Sequence, residues 1–381
     1  MTEIGKSAFS GCTGLTSSVI GDSVTKIGNG AFSGCKGLTS VVIGNSVTEI
    51  GVWAFDGCTS LASVVIPDSV TKIGGRAFYI CRDLTSIVIP DSVTEICGSA
   101  FEGCTGLQSI VIPNSVTEIG EDAFNYCTGL TSIVIGDSVT KIGDSAFSGC
   151  KGLTSVKVSD GNKIYDSRDN CNAIIETATN KLVAGCASTL IPDSVTEIGS
   201  SAFKDCTGLT SIVIPDSVTE IGSSAFKDCT GLTSIVIPDS VTEIGYGAFM
   251  VCTGLTSVVI GNSVKKIGNS AFFGCTGLTS IVIPNSVKEI GQSVFGDCTG
   301  LTSIVIPNSV TKIEIYAFDG CNHLESIYCH VEDPNQIEIE RGVELGGEQA
   351  TLYVPAGKGV VSAYKKKGVW KKFAAIKPMK E

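Results

Sequence analysis

Cys321, His323, Cys329 and His330 spell Cys-x-His followed by Cys-His, the residue types and close spacing that hold a tetrahedral zinc ion. Each cysteine has a competing role, however. Cys321 belongs to a cysteine ladder that runs through the whole chain, and Cys329 falls at an inward position of a strand pattern. No metal is therefore expected. Asp160, Asn162, Asp166 and Asp169 are the oxygen donors a calcium loop would use, but they lack the EF-hand spacing and its closing Glu. A solvated, turn-rich insertion is the reading preferred for them. Gly28-Asn29-Gly30 is not a dinucleotide fingerprint, because its glycines follow a bend that recurs in every repeat. With two histidines in 381 residues, no Ser-His-Asp, Cys-His or paired-carboxylate arrangement emerges. The chain is read as not an enzyme and as needing no cofactor, with chemistry near Asp166 a remote alternative.

The elements behind these residues repeat. Cys12, Cys35, Cys58, Cys81, Cys104, Cys127 and Cys150 stand 23 residues apart, and the spacing resumes at Cys206, Cys229, Cys252, Cys275, Cys298 and Cys321. Ile191–Val213 and Ile214–Val236 are identical at every position. A fixed period of this size means one supersecondary unit stacked on copies of itself. Equivalent residues on stacked units have parallel Cβ directions and lie too far apart at Cβ for a disulfide. The ladder cysteines are accordingly expected to be buried thiols acting as small apolar groups. Cys171 and Cys186, outside the ladder, are the pair best placed to bridge under oxidising conditions.

The unit reads Leu209-x-x-Ile212-x-Ile214-Pro215-x-x-Val218-x-x-Ile221-Gly222-x-x-Ala225-Phe226-x-x-Cys229. Its opening is a leucine-rich repeat core, with a short strand turning Ile212 and Ile214 inward. Val218 and Ile221 predict a second extended segment, Gly222 a sharp bend, and Ala225–Cys229 a helical turn that closes the coil. The expected fold class is a β-rich leucine-rich repeat solenoid: a curved stack of 23-residue units with a parallel sheet of short strands and short helical turns, plus a small C-terminal cap. Fourteen strands at the usual ladder spacing predict a stack about 60–70 Å long. Aromatic residues are only 7% of the chain, so an aliphatic core is expected. Ser23, Ser46, Ser69, Ser92, Ser217, Ser240 and Ser263 recur where their hydroxyls would satisfy turn backbone. Alternating Lys and Glu at Lys26, Glu49, Lys72, Glu95, Glu118 and Lys141 read as a solvated face.

The repeats occupy 1–329. One unit, at about 159–191, carries ten extra residues, with Ala173–Glu176 and Leu182–Ala184 patterned as a hairpin. Residues 330–381 form a C-terminal capping module whose Tyr364, Trp370 and Phe373 are expected to cover the last repeat. Its lysines make this end basic in a chain of net charge −11, and a second reading makes it an attachment surface for an anionic wall polymer or partner. The overall acidity argues against nucleic acid. No apolar run is long enough to span a bilayer. Met1 opens in the middle of a repeat, so an upstream export signal is expected to be missing, the alternative being a cytoplasmic protein.

The unit Ile-Pro-x-Ser-Val-Thr-x-Ile-Gly-x-x-Ala-Phe-x-x-Cys-Thr-Gly-Leu-Thr-Ser-Ile-Val resembles the BspA-like, treponemal-type leucine-rich repeat family over Thr2 to Tyr328. The segment Tyr165–Ile175 is similar to an irregular unit of many bacterial members. The ending Leu352-Tyr353-Val354-Pro355…Tyr364…Trp370-Lys371-Lys372-Phe373 is similar to a frequent C-terminal module of theirs. The resemblance implies a cell-surface or secreted adhesin-like protein whose partner is an extracellular-matrix protein or a protein on a host or bacterial cell. It carries over no universal binding residues. From the residues themselves, one binding candidate stands out. The outward strand position is nearly always Val (Val42, Val65, Val88, Val111, Val134, Val213, Val236, Val259, Val282, Val305), which in a single sheet makes an exposed apolar stripe. The competing reading is that Val simply suits a β-ladder. A monomer is expected, and a structural spacer is the alternative to a binding protein.

Overall fold

The computed structural model describes residues 2–340 and 349–380. The chain divides into two compact units, Met1–Leu190 and Ile191–Glu381.

In the first unit the coils build two parallel ladders, the first of them interrupted. Ser17–Ile20, Ser40–Ile43 and Ser63–Val65 form one three-stranded sheet; Ser109–Val111, Ser132–Ile135 and Ser155–Val158 form another. The coil between them, around Ile87 and Ile89, keeps both side chains buried but makes no strand. The single sheet expected from the pattern is thus interrupted, and proline explains where. Ser159 N–H donates to the Ile135 carbonyl at 2.9 Å, and proline at the equivalent position cannot make that bond. Pro67, Pro90 and Pro113 stand in three successive coils, so the middle coil loses the bond on both sides. In the second unit Pro192, Pro215 and Pro238 repeat the arrangement, and the coil at Pro215 again lacks a strand.

The second ladder is continuous through the first unit. Glu3–Ile4, Lys26–Ile27, Glu49–Ile50, Lys72–Ile73, Glu95–Ile96, Glu118–Ile119 and Lys141–Ile142 lie side by side in chain order. Each isoleucine points inward. The outward Lys and Glu pair along the ladder, with Lys26–Glu49 at 2.9 Å, Lys72–Glu95 at 2.7 Å and Lys141–Glu118 at 2.6 Å. These pairs are exposed and screened by solvent, so they add little to stability.

The closing segment is a chain of tight turns. In the third coil Ala54, Asp56 and Cys58 donate back three residues, while Trp53, Phe55 and Gly57 donate to Gly75, Ala77 and Tyr79 on the next coil. Alternate N–H groups thus serve the turn and the stack, and the short helical turn expected here takes this tighter form. Every fourth residue adopts a left-handed backbone, as at Trp53 (φ 57) and Gly57 (φ 67). Gly222, read as a bend, is favoured for another reason: a Cβ there would stand 2.7 Å from Ser200 N of the preceding coil. The backbones approach closely here, and a side chain at Gly222 would have to push the preceding coil away, as Cys97 and Glu314 must at the equivalent position of their coils.

The core is not purely aliphatic. Phe9, Phe32, Phe55, Phe78, Phe101, Phe124 and Phe147 stack ring on ring with centroids 5.1–5.5 Å apart. A second column runs from Phe203 to Phe318 in the second unit. One phenylalanine per coil is a small share of the composition, yet stacking turns those few rings into an unbroken column. The ladder thiols lie beside it, mostly buried, with Cys12 exposed and Cys206 partly so. Ser69 and Ser92 hydroxyls donate to Val47 and Val70 carbonyls at 2.6 Å, as the serine ladder predicts. Ser115 and Ser240 find no partner among the described residues.

The insertion folds as expected into a hairpin, Ile174–Glu176 antiparallel to Lys181–Ala184, flanked by Tyr165–Asp166. In the second unit Ser280–Val282, Ser303–Ile306 and Ser326–Cys329 form a sheet that continues past the last repeat through Thr351–Val354 and Ala375–Pro378. The periodic sequence stops at Tyr328, but the ladder gains two further strands. Over them lie the helix Val360–Lys366 and the turn Gly368–Lys372, with Tyr364 and Trp370 fully buried in edge-to-face contact.

Candidate functional site

On each four-residue strand the first and third side chains face outward, and the third is the stripe position. Val42, Val65, Val88, Val111, Val213, Val236, Val259 and Val282 are exposed, from 54% to 82%. Val134 and Val305 are only half-exposed, which departs from the uniform stripe expected. Their register neighbours account for this: Val134 lies beside Lys157 and Val305 beside Tyr328, both larger than valine and able to lean over it. Val19, 79% exposed, joins the stripe although the pattern-based list omits it.

Strand register sets which of these residues meet. Val19, Val42 and Val65 form one row, and Val111 and Val134 a second that ends at Lys157. Val236 pairs with Val259. Val282 and Val305 continue into Tyr328, Tyr353 and Lys377. Val88 and Val213 sit on coils that form no strand at this face, yet both remain exposed. Thr39 and Thr131 hydroxyls donate to carbonyls of Thr16 and Gln108 one coil earlier, holding the edge of the face rigid.

Two further clusters were missed because they lie where the repeat consensus fails. Tyr328 and Tyr353 stack at 4.8 Å on the strand face. On the turn face Trp53 is 47% exposed, one coil from Arg76, whose guanidinium lies 5.2 Å over the Tyr79 ring. Asp56 beside them accepts from the Ser33 hydroxyl at 3.2 Å, and burial pushes its carboxyl above the usual range. The available signal was substitution of Ser or Gly by bulky residues at fixed repeat positions.

The residues weighed for metal and catalysis have structural work. Cys321 Sγ donates to the Phe295 carbonyl at 3.1 Å, and Cys329 Sγ lies 3.3 Å from the Tyr364 hydroxyl. His323 Nδ1 meets the Thr299 carbonyl at 2.7 Å, while His330 stands exposed. Among the described residues no three His, Cys, Asp or Glu converge on a metal position. In the insertion, Asn162 donates to Gly136 and Val139 carbonyls and accepts from Ile164 and Tyr165 N–H groups. Burial would raise the Asp166 carboxyl, but its bonds to Arg168, at 2.8 and 2.6 Å, hold it below the usual range. Cys171 and Cys186 thiols face separate carbonyls, those of Ala173 and Asn172.

Parallel ladders, inward Leu and Ile and a fixed 23-residue coil define a leucine-rich repeat solenoid. The chain matches the BspA type leucine rich repeat region (six copies) over residues 2–131, 71–181, 183–302 and 243–340, and it belongs to that family. Among solved structures it is similar to a leucine-rich cell surface protein of Faecalibacterium prausnitzii. The two are 34% identical over 90% of this chain and 87% of that one, with a TM-score of 0.69. A leucine-rich repeat protein of Eubacterium ventriosum is 28% identical over 81% and 82%, with a TM-score of 0.71. The pneumococcal vaccine antigen PcpA, 20% identical over 100% of this chain and 85% of that one with a TM-score of 0.62, shares the fold. No curated protein matches the chain. Among the described residues no helix is long and apolar enough to cross a membrane.

Proposed function

We propose that this is a non-enzymatic cell-surface or secreted protein that holds a protein partner, on the extracellular matrix or on another cell, against the strand face of its repeats. The observation that carries the reading is the valine rows. They are exposed and repeated, and a row of exposed apolar side chains of this kind ordinarily marks an interaction site. Similarity to a protein described as a cell surface protein supports the location. A valine only partly covered by a partner contributes about one methylene's worth, about 0.8 kcal/mol, so affinity would accumulate over several weak contacts.

The test is a titration on an immobilised matrix protein such as fibrinogen, with circular dichroism to confirm folding. Val236→Ser alone should change binding little. Val213, Val236, Val259 and Val282 replaced together by Ser should weaken it by roughly a hundredfold or more. If the quadruple variant folds and binds unchanged, the valines are sheet architecture and the spacer reading takes precedence.

A further inference from the structure

The strand face of the second unit changes chemistry along one row. Val282 and Val305 are followed in register by Tyr328, Tyr353 and Lys377. At that end lies a cavity of about 880 Å³, lined by Val305, the two tyrosines, His330, Lys377 and Lys380 among others. No Asp or Glu lines it among the described residues, although the chain carries net charge −11. His330, Lys377 and Lys380 are exposed, and no hydrogen bond or ion pair to a protein group is seen for their side chains among the described residues. The tyrosine rings lie nearly parallel, 11° between planes, as a paired phenol wall.

We propose that this cavity is a binding site for a carboxylate-bearing glycan, such as a polymer of uronic acid. Ammonium groups and an imidazole, with no carboxylate among the described lining residues, suit an anion. Phenol hydroxyls both donate and accept, which matches neighbouring sugar hydroxyls, and the rings and Val305 supply apolar surface for sugar C–H faces. An acidic peptide added as a further strand is disfavoured as occupant. The adjacent edge strand, Ala375–Pro378, ends in a proline without an N–H and carries a lysine, two features that block strand addition. The site takes Val305 from the end of one valine row but none of the four valines replaced in the test above.

The experiment is a binding titration of the full chain with oligogalacturonate, using dextran of equal length as the neutral control and poly-glutamate as the acidic peptide. The double variant Lys377→Glu with Lys380→Glu changes only exposed residues and should keep the fold. Oligogalacturonate should bind at low salt, weaken at least tenfold in the double variant, and weaken again as salt rises. Dextran should not bind. The quadruple valine variant should bind the glycan as the parent does, so the two proposals fail separately. Four results would overturn the proposal: no binding of oligogalacturonate, equal binding of dextran, equal binding of poly-glutamate, or an unchanged affinity in the double variant.

Discussion

The thiol of Cys229 donates to the carbonyl of Phe203 at 3.0 Å, across 26 residues and one coil boundary. The same bond recurs from Cys58 to Phe32 at 3.2 Å and from Cys127 to Phe101 at 3.1 Å. The buried ladder cysteines are thus apolar filling and also donors that tie each coil to the one before.

Burial pushes Cys58, Cys252 and Cys321 up to about 12, and raises most of the other ladder thiols as well. A thiol held protonated in the folded state supplies stability that is complete below its unfolded value, near 8.5–9, and is lost as pH climbs towards the folded one. Thermal melts under reducing conditions should therefore be flat from pH 6 to 8 and fall between about pH 9 and 12. Each buried thiol contributes about 1.4 kcal/mol per pH unit in that window. A native thiol titration at pH 8 should label Cys12 quickly and most of the seventeen only after denaturation. Rapid reaction of the majority would place the ladder in solvent.

Gly74 and Gly75 are neighbours with different constraints. A Cβ on Gly74 would stand 2.7 Å from the Gly51 carbonyl carbon, whereas one on Gly75 would meet nothing nearer than 3.3 Å. Gly74→Ala should destabilise by about 2 kcal/mol or more by forcing two coils apart, and Gly75→Ala should stay within about 1 kcal/mol. Urea denaturation of the two variants makes the comparison, and equal losses would contradict the close approach.

Asn162 saturates four backbone groups at the root of the insertion, two as donor and two as acceptor. Asn162→Ala should cost about 2–4 kcal/mol, since it strands buried polar groups. Chelators should leave the parent melting temperature unchanged, because these bonds run to backbone. A rise in melting temperature on adding calcium would restore the calcium-loop reading.

Removing Ile214–Val236 joins Val213 to Ile237 at the same point of the next coil. The shortened protein should fold cooperatively with a melting temperature within a few degrees of the parent, since interfaces between repeats are preserved. Loss of folding would mean that these identical coils are not interchangeable.

The sequence by itself determined the period, the inward and outward positions, the hairpin in the insertion and the family, because each follows from residue spacing along one coil. Valine at the third strand position must face out once the first inward isoleucine is placed. What one coil does to the next was decided only by the tertiary structure. Proline in successive coils breaks the sheet, because the missing N–H belongs to a bond between coils. Glycine at Gly222 is favoured by the close backbone of another repeat. Single phenylalanines become a column only when the coils stack. The tyrosine, histidine and lysine side chains of the C-terminal cavity come from three segments, at 328–330, 353 and 377–380, that share no sequence pattern. They meet because Thr351–Val354 and Ala375–Pro378 continue the ladder after the repeat has ended, and register between strands is a property of the folded sheet.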